Sequence, residues 1–346
     1  MEATAFPIFR DQLVDRRRKL ETAIATIGGA NDVTRLLNEV DAALRRMDLG
    51  TFGICETCGD PVETERLLAD PLTRFCIDHL TPVEQRALEE DLELASRIQR
   101  ELLPKRDARP GGIAGPGAPG GIAGPGSTAP WELAYHYQAA GPVSGDYCDL
   151  IEGGDGQTYF LVGDVAGHGV AAAMLMSHLS AMLRTLVSVG LPLSQLMERA
   201  SRVFCESTLP SHYATLVCGR ASSSGEIEVC NAGHPPPLVV RGGGPGRILR
   251  LDATGLPIGM FCSESFTSQT VRLEHGETLL LYTDGLLETQ NSNGMEYGIE
   301  RLTALSASAS TLDSKATVAA CLGDLASFRG NVASADDLTI MAVRRV

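Results

Sequence analysis

Residues 105–130 carry the heptapeptide GGIAGPG twice, at 111–117 and 120–126. Glycine and proline at this density give the backbone little apolar surface to bury, so the stretch reads as a flexible linker and its duplication as sequence expansion. A chain interrupted in this way does not form one continuous core. Its 346 residues are expected to fold as separate parts on either side of the interruption.

Upstream, Phe9, Leu13, Leu20, Ile24 and Ile27 recur at coiled-coil spacings until Gly28-Gly29 breaks the pattern. Asp32 is placed to cap a second helix with the stripe Val33, Leu36, Val40, Leu44 and Met47. The two together predict a helical hairpin. The RRRK run at 16–19 reads as the solvated face of the first helix. A third helix is predicted from Thr81 to Leu103, opened by the capping box Thr81-Pro82-Val83-Glu84. Its stripe of Leu88, Leu92, Ala95, Ile98 and Leu102 suits self-association or docking, and equally an ordinary amphipathic helix on its own core.

Between the hairpin and that helix, Cys55 and Cys58 are followed after 17 residues by Cys76 and His79 at the same short spacing. Two such pairs of soft ligands predict a closed tetrahedral zinc site with a structural role, and Gly59 suits the knuckle after the first pair. The other six cysteines (148, 205, 218, 230, 262 and 321) are scattered, mostly in apolar segments. That distribution reads as a reducing, cytoplasmic compartment without a disulfide framework.

With 43 acidic against 29 basic residues the net charge is -14, which argues against nonspecific nucleic-acid binding. The N-terminus is charged from Glu2 onward, so no secretory signal is read there. The most apolar stretch, Val170 to Leu191, is broken by Ser177, His178 and Arg184, and no membrane span is expected.

From Trp131 strand-like runs such as QTYFLVGDV, YATLVCG, EIEVCN and ETLLLYTD alternate with turn clusters. Helices are expected at Val170–Val189, Leu193–Cys205 and Ser314–Phe328. Strands in runs with helices in blocks favour an α+β fold of mostly antiparallel sheets with helices outside. Four carboxylate motifs fall at strand ends or turns: SGDYCD at 144–149, GDVAGHG at 163–169, TDGLLE at 283–288 and ADDLT at 335–339. A carboxylate ending an apolar strand is costly to bury unpaired. Four together suggest an oxygen-ligand site for two hard cations such as Mg²⁺ or Mn²⁺.

Two resemblances follow from these residues. The segment EVDAALRRMDLGTFGICETCGDPVETERLLADPLTRFCIDHL, with its G-T-F-G-x-C-x-x-C-G core, resembles the DksA/TraR zinc-finger family, with His79 where that family usually has a fourth cysteine. Members act on RNA polymerase through a long coiled coil with acidic tip residues; the hairpin here is short and its tip, IGGAND, offers only Asp32. The resemblance therefore implies a protein-interaction or sensing module more than polymerase binding.

Residues 131–346, with the helix ending IQRELLP, GPVSGDYCDL, FLVGDVAGHGVAAAM, NAGHPPPLVV, GLPIGM, LLLYTDGLLE and ADDLTIMAV in order, resemble the PPM-type (protein phosphatase 2C-like) bacterial serine/threonine phosphatases of the sporulation and sigma-factor partner-switching branch. That resemblance implies an αββα sandwich with Asp146, Asp164, Asp284 and Asp336 as catalytic metal ligands. Asp164 would bridge two Mn²⁺ or Mg²⁺ ions, the carbonyl of Val165 would be a further ligand, and Asp337 would support the site. A hydroxide held by the two metals would attack a phosphoserine or phosphothreonine on an anti-anti-sigma-type partner.

His168 would be either a proton donor or a turn residue capping the next helix. Asn231 and His234 would shape a loop near the cleft, with catalysis the lesser reading, and Cys148, where the family commonly has an aromatic residue, would be a small apolar filler or else an oxidation-sensitive thiol. No arginine matches the phosphate-binding arginine of the eukaryotic relatives, which leaves the substrate phosphate mainly on the metals.

The expected organisation is a hairpin with a zinc finger at 1–80, a connecting helix at 81–104, the linker at 105–130 and a phosphatase domain at 131–346. The N-terminal module would regulate the enzyme, through direct docking of the connecting helix or through localisation alone. A homodimer through helix 81–104 is a further expectation. The alternatives are a weakly active phosphoprotein-binding protein and a zinc-finger transcription regulator acting on RNA polymerase.

Overall fold

The computed structural model describes residues 6–27, 31–80, 82–104, 120–121, 130–153, 156–167, 169–208, 212–242 and 248–346. The chain divides into two units, Met1–Asp91 and Leu92–Val346.

In the first unit, α1 (Phe6–Ile27) and α2 (Asn31–Asp48) form the expected hairpin. Gly28 and Gly29 at its tip lie outside the described residues. Asp32 falls inside the first turn of α2 rather than ahead of it, because the helix already begins at Asn31. The apolar faces meet through Phe9, Leu13, Val40, Ala43 and Met47, and the same core takes in Phe52, Val62 and Leu67 from the segment that follows. Phe9 and Phe52 bring their ring centroids to 5.7 Å. The hairpin thus supplies the hydrophobic floor of the cysteine segment, which adds only the short helix α3 (Thr64–Ala69) and a single 3₁₀ turn at Ile77–His79.

Helix α4 (Pro82–Leu102) follows; its expected cap, Thr81, lies outside the described residues. Of the interruption at 105–130, Gly120–Gly121 is described as a short strand, β1, paired with Tyr135 and Ala134, and Pro130 as a bend; residues 105–119 and 122–129 lie outside the described residues.

The second unit is built from β2 (Trp131–Gln138), β3 (Asp146–Glu152), β4 (Thr158–Val165), α5 (Gly169–Val189), α6 (Leu193–Ser207), β5 (Ala214–Ala221), β6 (Glu226–Ala232), β7 (Leu238–Val240), β8 (Ile248–Arg250), β9 (Gln269–Arg272), β10 (Thr278–Tyr282), α7 (Asp284–Leu287), α8 (Gly298–Ser308), α9 (Ser314–Arg329) and β11 (Leu338–Arg345). One sheet runs β1-β2-β11-β10-β7-β8 and the other β3-β4-β5-β6-β9, and the pairings are antiparallel.

The central strands bury both faces, and their alternation assigns side chains to layers. In β10, Leu279 and Leu281 pack between the sheets, while Leu280 and Tyr282 face a core with Leu302, Val318, Cys321 and Leu325 of α8 and α9. In β4, Phe160 and Val162 join the inter-sheet core, while Tyr159 and Leu161 pack under α5 and α6 with Met176, Leu183, Leu196 and Phe204. The result is an αββα sandwich with three apolar layers.

Helix α5 is long and apolar enough to cross a membrane by length and composition, but Ala172, Met176, Leu179, Leu183 and Val187 are buried against the sheet. Its Arg184 points back into the domain, where Nε and Nη2 reach the fully buried Asp149 at 2.6 and 3.0 Å.

The cysteine reading needs one correction. Cys205 at the end of α6 and Cys262 in the loop before β9 form a disulfide, with Cα atoms 5.3 Å apart and a sequence separation of 57. No spacing signal marks such a pair, because α6 and the loop are brought together only by the tertiary fold. Ser201 makes the same connection: its hydroxyl accepts from Gly259 N at 3.1 Å. Closing a loop of that length stabilises the folded state by at most about 4 kcal/mol in chain-entropy terms. Reduction is therefore expected to lower the melting temperature by several degrees, and Cys262→Ser should melt like the reduced protein with or without dithiothreitol. Identical melting of oxidised and reduced wild type would show that the bond contributes nothing.

Candidate functional site

Strands β3 and β4 pair so that Asp146 lies directly opposite Asp164. Both share strand parity with inter-sheet residues, Cys148 for one and Phe160 and Val162 for the other, so the two carboxylates stand at one end of the central apolar layer. Asp284 begins α7, immediately after β10, and Asp336 lies just ahead of β11. Antiparallel pairing of β10 with β11 joins Tyr282 to Ile340 and so carries these two ends to the same place.

The charges are uncompensated. Among the described residues, no ion pair involves Asp146, Asp164, Asp284 or Asp336. Burial and the neighbouring Asp284, Asp336 and Asp337 push Asp164 up to about 8. Burial, then Asp164, pushes Asp146 well above the usual carboxylate range. Burial, then Asp336, raises Asp284, and burial, then Asp284, raises Glu288. Beside them a cleft of about 280 Å³ is lined by Gly285, Glu288, Thr289, Glu296 and Asp336 among others, adding acidic groups.

The donor set is all oxygen and hard, which suits Mg²⁺ or Mn²⁺. Two close approaches shape it. A Cβ on Gly145 would lie 3.0 Å from the Val165 carbonyl and 3.1 Å from Asp164 Oδ1, so glycine leaves both oxygens uncovered. A Cβ on Gly285 would lie 1.9 Å from the Asp337 carbonyl, so only glycine lets the TDG turn close against the ADD segment.

Asp337 is used differently from its neighbour. Its Oδ1 accepts from Ala140 N at 2.7 Å and its Oδ2 from Gly145 N at 2.9 Å, which fixes the loop entering β3. Ser144 in that loop is clamped from the other side. Gln99 of α4 donates to its carbonyl, 2.5 Å away, and accepts from its N–H at 3.0 Å. Arg184 donates to the Leu102 carbonyl at 2.8 Å and Tyr135 to the Pro104 carbonyl at 2.9 Å. The last turns of α4 therefore dock directly on the β-sandwich, upstream of the Gly/Pro stretch. The expected stripe shifts by one residue as a result: Ile98 is 53% exposed, and buried Gln99 occupies the inward position because its amide has backbone partners.

The remaining expected residues divide. Cys148 is fully buried in the inter-sheet core, and burial pushes its thiol well up, as suits a filler. Asn231 and His234 shape a loop: Asn231 Oδ1 accepts from His234 N at 2.8 Å, and its Nδ2 donates to the His234 carbonyl at 3.1 Å. His234 Nδ1 lies 2.9 Å from the Thr215 hydroxyl, and burial pushes the ring down to about 3, so it is neutral. His168 lies outside the described residues.

The second centre is in the N-terminal unit. Ligand atoms of Cys55, Cys58, Cys76 and His79 all lie within 4.8 Å of one another, with Cys76 Sγ 3.3 Å from His79 Nδ1 and 3.7 Å from Cys58 Sγ. Burial opposes ionisation of Cys55, but the N–H groups of Cys76, Cys58 and Thr57 outweigh it and bring the thiol down to about 6. A thiolate favoured in this way is a ready ligand for zinc.

Comparison with known proteins adds to this geometry. The family described as Stage II sporulation protein E (SpoIIE) matches residues 154–346, and the prokaryotic dksA/traR C4-type zinc finger matches residues 50–78. That second match stops one residue short of His79. The phosphoserine phosphatase RsbP of Bacillus subtilis is 29% identical over 162 residues, covering 45% of this chain and 40% of RsbP. The RNA polymerase-binding transcription factor DksA of Haemophilus influenzae is 31% identical over 85 residues, covering 25% of this chain and 56% of DksA. A crystal structure of the RsbU and RsbW domains of a Mycobacterium tuberculosis protein aligns with a TM-score of 0.52 at 31% identity, over 62% of this chain and 60% of that one. The chain spans between 31% and 57% of the length of the first curated relatives it matches.

Two outcomes are expected. Because Asp146, Asp164 and Asp284 are all raised on folding, the metal-free fold binds more protons than the unfolded chain. The stabilising protonation of Asp164 is complete below about pH 4 and is lost as pH rises through about 8, and Asp146 and Asp284 act in the same direction. The melting temperature in EDTA should therefore fall from pH 5.5 to 8.5, and added Mn²⁺ should raise it more at the higher pH. A flat profile would contradict the clustering. Separately, the purified protein should release a single zinc per chain to a colorimetric chelator. Cys76→Ser should lose that zinc, and His79→Cys should keep it.

Proposed function

The chain belongs to the SpoIIE family, and from that membership we propose that residues 131–346 form a metal-dependent protein serine/threonine phosphatase acting on a phosphorylated signalling partner. The observation that carries this reading is the convergence of Asp146, Asp164, Asp284 and Asp336 without a basic partner among the described residues. Asp146, Asp164, Asp284, Asp336 and the Val165 carbonyl would hold two Mn²⁺ or Mg²⁺ ions. Bound cations of this kind supply Lewis acidity toward phosphoryl oxygens and a water ionised at neutral pH. Asp337 holds the loop carrying Gly145, and Gly145 and Gly285 keep the oxygens accessible and close together.

Phosphoserine as substrate is supported by the naming of the Bacillus subtilis relative as a phosphoserine phosphatase. An anti-anti-sigma-type partner is the substrate class that the partner-switching resemblance implies. A cytoplasmic location follows from the same reading; there the Cys205–Cys262 pair would spend much of its time reduced.

The N-terminal zinc module would be the regulatory input. Helix α4 is the physical connection, since Gln99 reaches the loop two residues ahead of Asp146. Exposed Leu94 and Ile98 on the same helix support a homodimer through it. A second reading, contact with RNA polymerase through the zinc module, is favoured by the similarity to DksA and by the zinc-finger match over residues that include Cys55, Cys58 and Cys76.

The full chain should release phosphate from a phosphoserine peptide in the presence of Mn²⁺. Asp164→Ala and Asp284→Ala should each lower kcat/KM by on the order of 10³-fold. Equal turnover in both variants would overturn the metal assignment.

A further inference from the structure

Asp146 is held in an unusual way for a residue assigned to a cation. The hydroxyl of Thr283 donates to its Oδ2 at 2.9 Å, and the hydroxyl of Thr339 donates to the same oxygen at 2.6 Å. No hydrogen bond among the described residues reaches Oδ1. Asp146, Thr283 and Thr339 are all essentially buried. The two threonines are also locked to each other. Thr339 N donates to the Thr283 hydroxyl at 3.0 Å, and Thr283 N donates to the Thr339 carbonyl at 3.0 Å.

An ionised carboxylate, the form that binds a cation, has no proton to give, and this fixes the direction of both bonds. A threonine hydroxyl has one proton. The Thr283 oxygen already accepts from Thr339 N, which leaves its own proton for Asp146. Both hydroxyl protons therefore converge on Oδ2, and that oxygen is occupied as an acceptor. Partial rotation of the carboxylate plane about its Cβ–Cγ bond would break both bonds and leave the two hydroxyls unpaired, and a half-turn only exchanges two equivalent oxygens, so one oxygen is always engaged.

From this geometry we infer that Thr283 and Thr339 are positioning residues for the cation site: they commit Oδ2 of Asp146 to the protein and leave Oδ1 as its only ligand atom. The inference rests on the proposed cation site and deepens it. The two hydroxyls come from two different carboxylate motifs. Thr283 immediately precedes Asp284, and Thr339 follows Asp337 by two residues. Asp146 belongs to one sheet, whereas Thr283 follows and Thr339 lies in strands of the other. The contact therefore sets the distance between carboxylates of opposite sheets as well as the orientation of one of them. Partners that orient a metal ligand in this way commonly contribute 10- to 100-fold to metal affinity.

The test measures Mn²⁺ binding to the zinc-loaded full chain, with free Mn²⁺ read by electron paramagnetic resonance and no substrate present. Thr283→Val and Thr339→Val remove the donor at nearly constant volume, and each should weaken Mn²⁺ binding on the order of 10-fold. Thr283→Ser and Thr339→Ser keep the hydroxyl and should bind like wild type. If a valine variant fails to fold, the alanine variant at that position, which places no methyl against the carboxylate, is read instead with the same expectation. Folded donor-less variants that bind Mn²⁺ as tightly as wild type would overturn the assignment, as would serine variants as impaired as valine. Asp146→Asn and Asp164→Asn separate the two levels of the argument. If both bind Mn²⁺ like wild type, the cation site itself is refuted; if they lose binding while the valine variants keep it, only the threonine role fails.

Discussion

Mutual repulsion among carboxylates at the open end of the inter-sheet core is the constraint that the rest of the C-terminal unit accommodates. Asp146 and Asp164 face each other across one strand pair, with Asp284 and Asp336 delivered from the other sheet. Nothing basic balances them among the described residues, and burial together with Asp284, Asp336 and Asp337 drives Asp164 up to about 8. A loose scaffold would relieve such repulsion by moving apart. This one resists because β4, β10 and β11 are central in their sheets, because the edge strand β3 is paired to β4 along its whole length, and because β4 and β10 are buried on both faces. The apolar layers offset the electrostatic cost, and a bound cation would reverse its sign.

The restraint is unequal around the site. Asp146 is gripped by two hydroxyls and its approach loop is fixed by Asp337 on one side and Gln99 on the other. Asp336, by contrast, is exposed, and among the described residues its side chain accepts only from the next backbone N–H, at 2.8 Å. If these carboxylates hold a cation, the anchored half would define its place and the exposed half would follow it. Because Gln99 grips Ser144 through both its N–H and its carbonyl, displacement of the last turns of α4 would be felt two residues away at Asp146. The structure thus offers a direct route from the helix to the site that does not pass along residues 105–130.

Much of this was legible in the sequence because it depends on local pattern. Apolar runs between turn clusters located the strands, and the motif aspartates fall at the ends of those runs. The Cys55/Cys58 and Cys76/His79 spacings brought those four residues together as expected. What escaped is what only the tertiary fold assembles. Gln99 reads as a polar position beside an apolar stripe, and nothing local indicates that Ser144 waits to pair with it. The Cys205–Cys262 bond joins segments 57 residues apart with no motif between them. Helix α8 was missed because its apolar residues are few and its interior carries several Ala and Ser. Thr283 and Thr339 lie inside quoted motifs, yet their importance comes from a third motif, on the other sheet, that turns a carboxylate toward both.

The two candidate metal centres in this chain also differ in a way that bears on how each would behave. The Cys/His set is compact, with its ligand atoms within 4.8 Å of one another, and its soft donors complete a tetrahedron without help from water. Such a site joins the cores of hairpin and knuckle and has no position left for chemistry. The aspartates are all hard oxygen, and Asp336 borders a cleft rather than a closed core. Hard, open sites hold their ions less tightly and keep solvent in the coordination shell, which hydrolysis requires. Zinc in the first centre would persist through purification and hold the fold, whereas cations in the second would exchange with the medium. Regulation of the second could then act on its affinity for the ion as well as on turnover, and the Gln99 clamp beside Asp146 is placed to do so.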